Sequence, residues 1–200
     1  MVTLHNGVTM PTLAFGCAFG DWVGASEFQG FQPEQAWHAV SLALDNGYRA
    51  FDGARVYGTE RIVGTLLGQR FSSGELTRDN LFITTKLAHP AAPAHINISH
   101  RRTWDFDKVD DIAQKVRDDM VDTLDDLGLG YVDLLLMHWP GGFGQPSSTD
   151  PNFPRKARAI IWRTFCEIAD KGAARAIGVS NFTISHLRQL MEDVPEPELR

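Results

Sequence analysis

Cysteine is scarce in this chain. Cys17 and Cys166 stand far apart among 200 residues, which excludes a disulfide scaffold. The two cysteines do not recur at metal-ligand spacing, and no metal site is expected. Long apolar runs are missing as well. The longest, LLLM at 134–137, is far short of the roughly 20 residues that cross a bilayer. The opening stretch, MVTLHNGVTMP, lacks the charged and apolar regions of a secretory leader. Basic residues are not massed on any segment, the formal net charge is −6 and the isoelectric point is about 5.6. That balance argues against nucleic acid as a partner, and the short HRR at 100–102 reads as a solvated loop. These absences predict a cytoplasmic protein with neither membrane nor nucleic acid as partner. They leave its oligomeric state open.

What is present is an ordinary globular composition. Hydrophobic residues make up 43%, enough for one sizeable core. The Asn6-Gly7 pair favours a primed turn, so residues 1–16 read as a small hairpin followed by a first strand ending near Gly16. A Gly-rich loop is expected over 20–32. A helix follows from Pro33, burying Ala36, Val40, Ala43 and Leu44 and stopping at Asn46-Gly47. A strand is expected at Tyr48–Phe51. The helix Thr59–Gln69 should turn Ile62, Val63, Leu66 and Leu67 inward. LFITTKL, 81–87, is a β-branched strand. Asp110–Leu127 is an amphipathic helix with its stripe at Ile112, Val116, Met120, Val121, Leu124 and Leu127. VDLLLMHW, 132–139, has the continuous apolar character of a buried parallel strand. A helix over Arg158–Asp170 and a strand at 176–181 follow. The last helix begins near Thr183, uses Leu187, Leu190 and Met191, and leaves VPEPELR as an exposed tail. Long loops are expected at 88–107 and 140–154. Strand and helix alternate five times, which predicts an α/β fold with a parallel sheet.

The polar residues of interest share one position in that scheme. Asp52 ends the second strand and Tyr57 lies just beyond it. Lys86 ends the third strand, His138 the fourth and Ser180-Asn181 the fifth. In a parallel barrel those ends form one face, where active sites sit. Taken singly, each has an ordinary reading: a turn carboxylate, a surface tyrosine, a snorkelling lysine, a core histidine, a strand-to-helix turn. Glu60 reads as a carboxylate that stabilises a helix start. Taken together, Asp52, Tyr57, Lys86 and His138 suit proton delivery to a carbonyl oxygen. A tyrosine ordinarily titrates near pH ~10, and a lysine ammonium beside it favours the phenolate. A carboxylate holds the lysine charged, and a histidine orients the carbonyl. Nothing in the set supplies hydride, so a nicotinamide cofactor would have to do so. Ser180 and Asn181 could hydrogen-bond its carboxamide.

FDGARVYGTE resembles the DxAxxYxxE segment of the aldo-keto reductases. ITTKL resembles that family's lysine strand, LLLMHWP its histidine strand and GAARAIGVSNF its fifth strand. LHNGVTMPTLAFG is similar to its N-terminal barrel plug. The resemblance runs from about residue 3 to 191. It implies a TIM barrel that reduces an aldehyde or ketone with NADPH, a small carbonyl compound being the substrate. It also implies roles: Tyr57 as general acid, Lys86 lowering its pKa, Asp52 pairing with Lys86 near the nicotinamide ribose, and His138 orienting the carbonyl. Ser180 and Asn181 would hold the carboxamide. Trp139 and the 140–154 loop, with Phe143 and Phe153, would line the substrate pocket, with Trp22 contributing from the first loop. GCAFG departs from the family's first-strand pattern, where the resemblance implies a cofactor contact at Cys17.

A full barrel of this kind takes about 250 residues and eight strands. Five are counted here. The expectation is therefore an incomplete, C-terminally truncated (β/α)8 barrel with its first and fifth strands at open edges. Two other readings compete with a reductase. One is a catalytically inactive fragment or interaction module that keeps the four residues. The other is a barrel lyase using Lys86 as a Schiff base.

Overall fold

The computed structural model describes residues 1–23, 27–88, 111–141 and 150–194. The chain opens with the expected hairpin, β1 (Val2–Thr3) against β2 (Thr9–Met10). Gly7 sits at φ +84° in its turn, a conformation that favours glycine. The first sheet strand is β3 (Phe15–Gly16). The predicted Gly-rich loop is instead a second antiparallel hairpin, β4 (Gly20–Val23) with β5 (Glu27–Phe31). Its glycines obscured the aromatic and β-branched residues that pair along it. Pro33 starts a one-turn 3-10 segment that runs into α1 (Ala36–Asp45), which buries Ala36, Val40, Ala43 and Leu44 as expected.

Then come β6 (Ala50–Asp52), α2 (Glu60–Ser72), β7 (Phe82–Leu87), α3 (Ile112–Leu127), β8 (Val132–Met137), α4 (Phe153–Asp170), β9 (Ala174–Val179) and α5 (Ile184–Asp193). The five strands β3, β6, β7, β8 and β9 pair in parallel in their chain order. Each crossover thus advances the sheet by one strand, as in the winding of a (β/α)8 barrel. Among the described residues the sheet stays open, with β3 and β9 at its edges.

The core lies between sheet and helices. Every residue of β7 is buried, consistent with a strand covered on both faces. Helices α2 and α3 meet closely at Gly64, where a Cβ would stand 2.4 Å from the Asp126 carbonyl oxygen. Only glycine permits that approach.

Several expected details differ. Helix α4 begins at Phe153 rather than Arg158, because Pro154 is a helix-starting residue and not the end of a loop. Strand β9 begins at Ala174. Val121 is exposed, since the buried face of α3 is turned toward Asp119 and Thr123. In α5 only Leu190 is buried, and Leu187 and Met191 are exposed. Val194, expected in the tail, is fully buried. Of the two long loops, residues 89–110 and 142–149, including Phe143, lie outside the described residues. No helix among the described residues is long and apolar enough to cross a membrane.

Candidate active site

Each functional side chain is set by a strand end. Asp52 is the last residue of β6, and Lys86 is the penultimate residue of β7. His138 follows β8, and Ser180-Asn181 follow β9. Tyr57 closes a one-turn 3-10 segment, Arg55–Tyr57, between β6 and α2. Gly58 follows at φ +70°. Parallel pairing places Asp52 beside Thr84 and Lys86 beside Leu136, so the ends of β6, β7 and β8 open on one rim.

Lys86 is the hub. Its Nζ donates to Asp52 Oδ1 at 2.8 Å and to the Gly53 carbonyl at 2.8 Å. It lies 3.5 Å from the Tyr57 hydroxyl and 5.1 Å from the centre of that ring. The Lys86 side chain is almost wholly buried, whereas that of its carboxylate partner is 43% exposed. The ammonium is therefore drawn in by fixed acceptors while the carboxylate edge faces outward. The His138 ring is buried and meets Tyr57 edge to face, with ring centres 5.6 Å apart. Trp139 stacks on the His138 ring at 6.4 Å. The strand ends thus bring Asp52, Tyr57, Lys86 and His138 together in one cluster.

The backbone on this rim is held in conformations that L residues seldom adopt. Ala88 follows β7 at φ +59° and Asn181 follows β9 at φ +63°. Such positions cluster at functional sites and persist only where their surroundings enforce them. For Asn181 the enforcement is visible. Its Nδ2 donates to the His138 carbonyl at 2.8 Å and lies 3.0 Å from Ser180 Oγ. Ser180 in turn donates its backbone N–H to the Met137 carbonyl. The Ser180-Asn181 pair is thereby locked to the strand that carries His138.

Other expected residues fall elsewhere. Cys17 is a core residue, 1% exposed, and its backbone N–H donates to the Asp52 carbonyl. Burial pushes its thiol up to about 12. Its side chain packs beneath the rim, with Sγ 3.7 Å from the Phe15 carbonyl oxygen. Trp22 lies on β4, and its side chain is outside what the structure describes.

One residue pair was missed. Glu60 does not merely decorate the start of α2; it is buried with Arg55 behind the rim. Burial pushes its carboxyl up, against the opposing pull of Thr85 and Arg55. The sequence signal was its place three residues after Tyr57, but its partner on α3, Thr123, lies 63 residues away.

Comparisons with known proteins agree with this arrangement. The aldo/keto reductase family model matches residues 14–197. An aldo-keto reductase family 1 member A1-A from Danio rerio is 33% identical over 95% of this chain and 52% of its own length. An aldose reductase C from Dictyostelium discoideum is 28% identical over 94% of this chain and 53% of its own. Among solved structures, a Bombyx mori aldo-keto reductase in complex with NADP superposes with a TM-score of 0.69 at 28% identity, over 96% of this chain and 53% of that one. The chain spans about half the length of the curated relatives it matches. A family match across nearly the whole chain, on a sheet wound in the same order, makes the chain a member of the aldo/keto reductase family.

Proposed function

We propose that this chain carries the catalytic centre of an NADPH-dependent reductase of aldehydes or ketones. The observation that carries the reading is Lys86, buried at a strand end between the Asp52 carboxylate and the Tyr57 phenol. The donor set fits a nicotinamide cofactor, because a hydroxyl and an amide at Ser180-Asn181 and an outward carboxylate at Asp52 share its rim. Relatives of known structure include aldo-keto reductases complexed with NADP and NADPH. Bound NADPH would supply hydride to the carbonyl carbon.

Tyr57 then donates its hydroxyl proton to the carbonyl oxygen, giving the alcohol. The departing proton leaves charge on the phenol oxygen, and the Lys86 ammonium 3.5 Å away stabilises it. Asp52 and the Gly53 carbonyl hold that ammonium in place. His138, packed on Tyr57, orients the carbonyl oxygen toward the phenol. Ser180 and Asn181 hold the carboxamide. Trp139, stacked on His138, lines the substrate side in this reading, and Trp22 and Phe143 are proposed as further substrate contacts.

The test is NADPH oxidation by the purified chain with a reactive aromatic aldehyde, beside a Tyr57→Phe control. Loss of the general acid is expected to lower turnover by about 10²–10⁴-fold. Equal turnover in both, or none in a folded wild-type chain, would contradict the reading.

A further inference from the structure

We infer that Glu60 is a positioning residue that fixes the Tyr57 hydroxyl against the Lys86 ammonium from behind the sheet. The inference rests on the roles proposed above for Tyr57 and Lys86. Glu60 is 3% exposed, and its two oxygens reach three different elements. Oε1 accepts from the Thr85 hydroxyl at 2.7 Å. Oε2 accepts from Arg55 Nη1 at 3.3 Å and from the Thr123 hydroxyl at 3.2 Å.

Those partners are the neighbours of the catalytic pair. Thr85 precedes Lys86 on β7, and side chains alternate along a strand, so Thr85 faces the helix layer while Lys86 faces the rim. Arg55 begins the same 3-10 turn that ends in Tyr57. Glu60 thus ties the turn that carries the phenol to the strand that carries the ammonium. Arg55 is anchored a second time on α3, through Asp126 at 2.8 Å and Asp122 at 2.9 Å. Arg61 shares Asp126 from the outside. Glu60, Arg55 and Asp126 form the buried centre of this assembly, with Asp122 and Arg61 on its exposed side. Displacing one member moves the turn and not only a side chain. A misplacement of about 1 Å costs up to about a hundredfold in rate when it separates reacting groups.

Glu60→Ala leaves Arg55 short of a partner and is a poor test, because it threatens folding. Thr85→Val removes only the hydroxyl that reaches Glu60, and Thr85→Ser keeps it while removing a methyl group. The direct readout is the Cζ resonance of Tyr57 in chain labelled with [ζ-¹³C]tyrosine. Three tyrosines give three signals, and Tyr57→Phe assigns the one of interest. Lys86→Met calibrates how far that resonance moves when the ammonium is gone.

Thr85→Val is expected to move it in the same direction, with Thr85→Ser remaining at the wild-type position. In the same samples kcat is expected to fall about tenfold in Thr85→Val with KM within about twofold, and to be restored in Thr85→Ser. A folded Thr85→Val with the wild-type resonance overturns the inference while Lys86→Met still moves it. If Lys86→Met itself leaves the resonance in place, the Tyr57–Lys86 contact is wrong and the proposed mechanism falls first.

Discussion

At the N-terminal end of β8, Asp133 is wholly buried. It accepts from the Ile83 backbone N–H at 2.8 Å, from Arg78 at 2.7 Å and from Arg175 at 2.8 Å. Arg78 also lies 4.0 Å over the Tyr131 ring, and Asn6 of the first hairpin donates to the Arg175 carbonyl. At the C-terminal ends of β6 and β7 the arrangement is reversed. There the buried group is a cation, Lys86, and its carboxylate partner Asp52 faces outward. Both ends bury charge, and both satisfy it. The difference is what is left over. Below, the carboxylate is saturated by donors from three elements, which suits a joint. Above, a carboxylate edge and a phenol remain accessible, which suits chemistry. Barrel enzymes divide their two faces in this way.

The comparison predicts that the lower end governs stability. Asp133→Asn removes a wholly buried charge and weakens its ion pairs with Arg78, which is largely buried, and with the half-exposed Arg175. It is expected to cost about 3–5 kcal/mol, read from the urea midpoint. A loss below about 1 kcal/mol would break the comparison. Next in size is the contact that holds the frame behind the upper end. Gly64→Ala drives a methyl group into the α3 backbone, 2.4 Å from the Asp126 oxygen. It is expected to destabilise by about 1–3 kcal/mol and to lower turnover of the folded fraction, since α3 anchors Arg55. Unchanged melting and turnover would show that α2 and α3 are not so tightly apposed.

The smallest effect sharpens the comparison through pH. Burial raises the Glu60 carboxyl above its ordinary value of 4.5. The folded state therefore keeps this proton longer than the unfolded chain does. The group's contribution to stability is full below the unfolded value and is lost as pH rises through the folded one. The stability of the wild-type chain relative to Glu60→Gln should then be greater at about pH 4 than at about pH 7. Urea midpoints of the two proteins at both pH values check the sign. The opposite slope would mean that Arg55 and the two threonines outweigh desolvation.

Much of this was legible in the sequence. The β-branched run at Phe82–Leu87 and the apolar run at Val132–Met137 identify buried parallel strands, and their C-terminal ends locate Lys86, the penultimate residue of one, and His138, the residue after the other. Gly128 and Gly172 mark helix ends correctly, both at positive φ. What local pattern hides is anything decided at long range. The stripe on α3 includes Val121 by hydrophobicity, yet the helix turns Asp119 and Thr123 inward. Thr123 is buried because it bonds Glu60, a partner that no periodicity reveals. Glycines concealed the β4–β5 hairpin, and a helix-starting proline was read as loop. Cys17 lay at the right strand end, but only packing could show that its thiol points into the core.

The most direct test of the division between the two ends is turnover per folded molecule, measured for Lys86→Met and Asp133→Asn below both melting points. The account predicts a loss of at least about a hundredfold in Lys86→Met and of no more than about threefold in Asp133→Asn. Comparable losses in both, or a Lys86→Met chain that turns over as the wild type does, would contradict it.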